Sequence, residues 1–251
     1  MNNRFLTIIL LTSSMYIAGC SDDNSSYETP KVAGEDDLPE NTGIVSQKNL
    51  SIAASEPQPP VYDPDTGIFS EEEVNITVKV GDISNQLLTD SHTIYFATEW
   101  GLITPSCITV SGECSVKWQT SSFANIPGDL LTTVTAWTTG EETFSDTNGN
   151  KIFDDGDIGS VFIDIEEPYV DANMDGAFNN GDTLIDVVNG NDLTGMNGVH
   201  DIGDTFLNSP NCTHSSLCSS VAPTTFIWVD MDLFMLKPEP PPEEPATTTP
   251  P

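Results

Sequence analysis

The sequence predicts an all-β chain, an antiparallel β-sandwich with an acidic, loop-rich insertion before its last strand. Three observations carry this expectation. Short runs alternate apolar and polar side chains with a period of two, as half-buried strands require. No segment shows a capped apolar stripe of helical period. Clusters of Gly, Pro, Asn and Asp separate the runs, as turns do in an antiparallel sandwich. The runs are Val74 to Val80, Thr93 to Thr98, Ser115 to Thr120, Leu131 to Trp137, Ser160 to Ile165 and Thr225 to Leu236. Trp100, Trp118, Trp137 and Trp228 fall in or beside these runs, where core and edge packing explains them better than a ligand platform.

In chain order, the first element is a leader. Met1 to Arg4 supplies a short positive segment, Phe5 to Ile17 is apolar but too short to span a bilayer, and Ala18-Gly19 are the small residues a signal peptidase needs. The run Ile17-Ala18-Gly19-Cys20 resembles the bacterial lipobox. That resemblance implies cleavage of residues 1–19, acylation of Cys20, and anchoring by lipid chains rather than by a transmembrane helix. Ser21 after the cysteine implies sorting to the outer membrane. Residues 20–47 are polar, Pro-containing and poor in large apolar side chains, which predicts a disordered tether. The expected sandwich spans residues 48–145, the acidic insertion 146–209, and a cysteine loop with the closing strand 210–237. Residues 238–251 form a Pro-rich tail that favours extended states.

Charge narrows the partners. The chain of 251 residues has 39 acidic and 7 basic side chains, a formal charge of -32. That excludes a phosphate-tracking nucleic-acid surface and makes a cation the natural partner. Beyond Cys20, four cysteines lie in two close pairs, Cys107 with Cys114 and Cys212 with Cys218. An even set of thiols in an exported chain predicts two disulfides. Of the three possible connectivities local closure is the simplest, because turn residues lie within each pair. Zinc is disfavoured, since neither pair has a tight Cys-x-x-Cys spacing and His92, His200 and His214 are scattered.

The stretch from Asn75 to Trp137 resembles the bacterial immunoglobulin-like domains of the invasin and intimin type. The residues that carry the likeness are ITVKV, then Asp90 to Thr98 (DSHTIYFAT) and Gly101-Leu102-Ile103, with His92 where that family has Gly. The resemblance implies an immunoglobulin-like sandwich, a structural or binding role, and no catalytic residues.

The insertion holds the most informative chemistry. From Asp146 to Asp204 there are 14 carboxylates against the single lysine Lys151, a density that calls for counter-charge. Asp146 to Asp157 (DTNGNKIFDDGD) aligns in phase with Asp171 to Asp182 (DANMDGAFNNGD). Oxygen donors fall at loop positions 1, 3, 5, 9 and 12, with the main-chain carbonyl of position 7 added. The candidate ligands are therefore Asp146, Asn148, Asn150, Ile152, Asp154 and Asp157, and Asp171, Asn173, Asp175, Ala177, Asn179 and Asp182. Six or seven oxygens on a coiled loop suit calcium. Phe153 and Phe178 at position 8 are expected to turn toward the core. A third segment, Asn197 to Asp204, keeps the later half of the pattern with Leu193 at position 1, and adds Asn197, Asp201 and Asp204 as weaker candidates. The loops resemble those of EF-hands, dockerins and thrombospondin type 3 repeats, departing at Lys151, which replaces Gly at position 6, and at Asp in position 12.

No Gly-x-Ser-x-Gly elbow, phosphate-cradling Gly-Lys-Ser/Thr loop or His-Glu-x-x-His helix is present. The expected function is that of a non-catalytic, lipid-anchored envelope protein, stabilised by calcium, acting in adhesion or surface assembly on a protein or glycan ligand. The alternative is a polysaccharide-binding module or a glycan-active enzyme, for which two carboxyl groups would have to flank a sugar cleft.

Overall fold

In the computed structural model, residues 42–121, 125–187 and 196–237 are described. The lipidation site Cys20, the leader, residues 20–41 of the tether and the tail from residue 238 lie outside them. Among the described residues, twelve strands are antiparallel wherever they pair: β1 (Leu50–Ala54), β2 (Tyr62–Asp63), β3 (Ile68–Phe69), β4 (Glu73–Val80), β5 (Thr93–Thr98), β6 (Leu102–Ile103), β7 (Ser106–Ile108), β8 (Glu113–Gln119), β9 (Leu131–Gly140), β10 (Tyr169–Val170), β11 (Thr183–Leu184) and β12 (Thr225–Phe234). The expected all-β class holds. Among the described residues no helix is long and apolar enough to cross a membrane.

Two four-stranded sheets, ordered β1-β4-β8-β6 and β12-β9-β5-β7, share one core. In β4 the alternation does what the sequence predicts. Val74, Ile76, Val78 and Val80 are buried while Asn75 and Lys79 face solvent, and β8 answers with Cys114, Val116 and Trp118. The second sheet supplies Ile94, Phe96, Val134, Ala136, Ile227 and Leu233. At the centre, Trp118 is fully buried, donates Nε1–H to the carbonyl of Trp100 at 3.0 Å, and packs on that ring at 5.9 Å. Gly101 makes this possible, because a Cβ there would lie 2.6 Å from Trp118 Nε1. The Cys107–Cys114 disulfide joins β7 to β8 and so ties one sheet to the other.

Three boundaries differ from the sequence expectation. Residues 42–47 belong to the folded body rather than the tether: Val45 is fully buried in the core, Ser46 N–H donates to the Gly81 carbonyl at 2.9 Å, and Ser46 bridges Glu141. The strand β1, too short and too rich in Ser and Ala to stand out, pairs with β4. Ser160 to Ile165 is not a strand. Only Phe162 makes an isolated bridge, with Phe144, and Val161 and Ile163 are exposed, so the alternation arises without a neighbouring strand to pair with.

The strands β9 and β12 pair over ten registers from Leu131↔Phe234 to Gly140↔Thr225, so residues 141–224 form one long connection between neighbours in the sheet. That connection covers the outer face of β9. Thr133 and Thr135, pointing away from the core, donate their hydroxyls to the carbonyls of Asp171 (2.7 Å) and Tyr169 (2.9 Å). Val170, Ile185 and Val187 form a small second apolar cluster there with Ala97, Trp137 and Phe226. Residues of β9 are therefore buried on both faces from Thr132 to Ala136.

Candidate metal centre

The loops 146–157 and 171–182 share the main-chain hydrogen bonds made to positions 1, 5 and 12. At position 1, Asp146 Oδ2 accepts the amide of Lys151 at 2.8 Å, and Asp171 Oδ2 accepts that of Gly176 at 2.8 Å. At position 5, Asn150 and Asp175 each accept the amide two residues on, from Ile152 (2.8 Å) and Ala177 (3.0 Å). At position 12, one carboxylate closes the ring by accepting two amides. Asp157 takes Thr147 (2.7 Å) and Asp154 (3.1 Å), and Asp182 takes Ala172 (3.0 Å) and Asn179 (2.7 Å). The residues at position 6, Lys151 and Gly176, both have left-handed backbones, with φ of 63° and 76°. Lysine holds this turn at a steric cost that glycine avoids.

Position 8 turns inward in both, as expected. Phe153 is fully buried and packs on Phe144, Phe162 and His214, while Phe178 packs on Tyr169 and lies flat on His200 at 4.2 Å. The Cys212–Cys218 loop clamps this arrangement, since Phe153 forms a bridge with Cys212 and exchanges main-chain hydrogen bonds with Asn211 and Thr213. Both disulfides thus close locally.

Side-chain hydrogen bonds join the remaining oxygens within each loop. In the first, the Asn148 and Asn150 amides donate to Asp154 at 3.2 and 2.8 Å. In the second, Asn179 donates to Asp175 at 2.6 Å and to the Ala177 carbonyl at 2.9 Å, and Asn173 donates to Asn179 at 3.0 Å. Hydrogen bonds link Asp146, Asn148, Asn150, Asp154 and Asp157 in the first loop and all six candidate residues in the second, and the donors are oxygens only, which suits a hard cation rather than zinc. Among the described residues, no group of three or more His, Cys, Asp and Glu side chains is placed to hold a metal ion as it stands. Asn side chains and the position-7 carbonyls make up the rest of each donor set. Burial pushes the Asp157 carboxyl up, but the amides of Asp154, Thr147 and Asn148 outweigh it and hold it below the usual carboxylate range.

The third predicted segment is divided by the structure. Asn197 and Asp201 lie together, joined at 3.2 Å, and Val199 donates to Asn197 Oδ1 at 2.6 Å. The Leu193 expected at position 1 lies outside the described residues, and its counterpart role falls to Asp186, whose Oδ2 accepts the amide of Gly198 at 2.8 Å. The closing carboxylate is not Asp204 but Glu167, which accepts Val187 (2.9 Å) and Asp201 (3.0 Å) as Asp157 and Asp182 accept their pairs. His200 occupies position 8 and stacks inward on Phe178. Asp204 belongs to a separate group of side chains with Asp164 and Glu142. Sequence reading missed Asp186 and Glu167 because a contiguous window of twelve residues contains neither. The available signal was a Gly-Val-His-Asp run with its first and last acids missing.

Compared with known proteins, the chain matches no family model, no curated protein sequence and no solved structure.

Proposed function

We propose that this chain is a non-catalytic, lipid-anchored envelope protein whose immunoglobulin-like module is stiffened by calcium in the segment 141–224, and which serves in adhesion or surface assembly. The observation that carries the reading is the correspondence of the two loops, closed at position 12 by the same pair of amide bonds, the second of them joined to the outer face of β9. The strand order supports the immunoglobulin-like part. Lettered in chain order, β1-β4-β8-β6 has the A-B-E-D arrangement of that fold, and β12-β9-β5 the G-F-C arrangement, with β7 as an added edge. Calcium would be held by Asp146, Asn148, Asn150, the Ile152 carbonyl, Asp154 and Asp157, by the matching set from Asp171 to Asp182, and by Asp186, Asn197, the Val199 carbonyl, Asp201 and Glu167. It supplies positive charge where acids crowd, and it binds the folded state alone. The lipobox-like Cys20 supports the anchor, and its acylation is read directly by mass spectrometry of the purified chain.

The expected result of adding excess chelator is a lower melting temperature, since calcium at a hundred times its dissociation constant contributes about 2.7 kcal/mol per site. An unchanged melting curve in chelator overturns the calcium reading. The alternative, a polysaccharide binder, has one observation in its favour: Tyr95, 41% exposed, stacks on Trp137 at 5.8 Å on the outer face of its sheet. Binding on a glycan array that is lost in Tyr95→Ala would select that reading.

A further inference from the structure

Beyond the three loops, one group of acidic side chains is drawn from three separate stretches of the chain. Glu142 follows β9, Asp164 lies in the segment misread as a strand, and Asp204 with Asn208 lies just before the cysteine loop. Glu142 is 1% exposed, and its oxygens each accept one amide, Ile165 at 2.8 Å and Asn208 at 2.8 Å. Asp164 Oδ2 accepts the amide of Thr205 at 2.7 Å, and Asp204 accepts that of Phe206 at 2.7 Å. Asp164 and Asp204 both act electrostatically on Glu142, and no basic side chain among the described residues is a partner of the buried Glu142 carboxylate.

One observation independent of these hydrogen bonds points to a ligand. Asp164 Oδ1 is sealed from solvent and, among the described residues, has no hydrogen-bond partner. A carboxylate oxygen in that state costs free energy unless a positive group faces it. Gly203 lies against this carboxylate, since a Cβ there would fall 2.2 Å from Asp164 Cγ and 2.3 Å from Oδ1.

We propose that Asp164, Asp204, Asn208 and Glu142, with the carbonyl of Phe206, form a further calcium site that no contiguous motif encodes. This inference rests on the calcium reading of the loops. The correspondence of roles supports it. Asp164 stands where Asp146 does, and Thr205, at φ 71°, takes the left-handed place of Lys151. Asp204 takes the place of Asn150, and Asn208 that of Asp154. Leu207, fully buried and bridged to Cys218, takes the inward place of Phe153, and Glu142 closes the ring as Asp157 does. The site would staple the start, middle and end of the connection 141–224 to one another, which a loop of consecutive residues cannot do.

The test is calcium stoichiometry of the full chain by native mass spectrometry, with calcium as the only added metal, on wild type and on Glu142→Gln, Asp164→Asn, Asp157→Asn and Asp182→Asn. The expected result is that each variant carries one calcium fewer than wild type. Asp164→Asn keeps an oxygen for the Thr205 amide and so guards against a folding failure of Glu142→Gln. In wild type, Asp157→Asn and Asp182→Asn, and not in Glu142→Gln or Asp164→Asn, calcium should also slow exchange of the Thr205 and Asn208 amides at least tenfold. If Asp157→Asn and Asp182→Asn each lose an ion while Glu142→Gln and Asp164→Asn lose none, this site is overturned and the loops stand. If wild type binds no calcium, both readings fall.

Discussion

The sandwich and the connection between β9 and β12 bury different things. In the sandwich, β4 and β8 bury Val74, Ile76, Val78, Val116 and Trp118, and the polar side chains between them face water. In the connection Phe153, Tyr169, Val170 and Leu207 are buried, but so are Glu142, Asp157, Glu167 and Asp171, and apolar Ile158, Val161, Ile163 and Ile202 are more than half exposed. The first region is held by apolar area removed from water, which acts without direction and without salt. The second is held by carboxylates that accept main-chain amides, and burial raises the cost of their charge, pushing Glu142 up to about 7 and Glu167 upward as well. A region built in the second way is stable only as far as something balances its charge.

The largest test of this contrast is Trp118→Ala. It removes the most deeply buried ring of the sandwich, and the expected cost is about 3–5 kcal/mol, the same with calcium or with chelator. Urea unfolding in both buffers checks it, and a cost that depends on calcium would mean that the two regions unfold as one unit. Opening the Cys212–Cys218 loop by Cys212→Ala with Cys218→Ala should cost about 2 kcal/mol on the chain-entropy account of a short loop. Because Phe153 is bridged to Cys212, the loss should appear first as faster amide exchange in 146–157, leaving β4 protected.

Much of the sandwich was legible in sequence because a period of two survives wherever one face of a strand is wet. The first strand was missed, since Leu50 and Ile52 are its only large apolar residues and their neighbours are Ser and Ala. The run Ser160 to Ile165 was misread for an instructive reason. Its alternation places Phe162 against Phe153 and Asp164 beside Glu142, so two different partners mimic one sheet face. Loops 146–157 and 171–182 could be read because all their ligands lie in one window. Asp186 and Glu167 could not, because Glu167 lies 34 residues before the amide of Asp201 that it accepts, and nothing local marks such a pair.

Lys151 offers a finer test within the acidic region. It is the one departure from Gly at position 6 in the two contiguous loops, at φ 63°, and it places a positive charge beside the proposed ion. Lys151→Gly should relieve about 1 kcal/mol of left-handed strain in the folded chain, and by removing a positive charge beside the ion it should raise the calcium affinity of the first loop about fivefold. Titration calorimetry should show the second loop unchanged. Equal affinity in the variant would show that the Lys151 ammonium, held on Ser84 Oγ at 3.0 Å, does not act on the ion.

The smallest effect comes from an acidic turn on the sandwich side that needs no metal ion. Between β2 and β3, Asp63 Oδ2 accepts the Thr66 hydroxyl at 2.6 Å, and Oδ1 faces Lys237 Nζ at 3.1 Å. The Thr66 bond, then Lys237 and the Asp65 amide, outweigh burial and hold the carboxyl at about 2 instead of its ordinary 3.8. A carboxyl lowered by folding adds stability that is complete above 3.8 and is lost as pH falls through about 2. Thr66→Ala removes the largest of these causes, so the Asp63 titration should move up toward its ordinary value, and the variant should lose less stability than wild type between pH 4 and 2. Carbon-13 titration of the Asp63 carboxyl checks this in calcium and in chelator. The turn's acid is answered by protein donors alone, so its titration should be the same in both buffers, whereas that of Asp157 should not be.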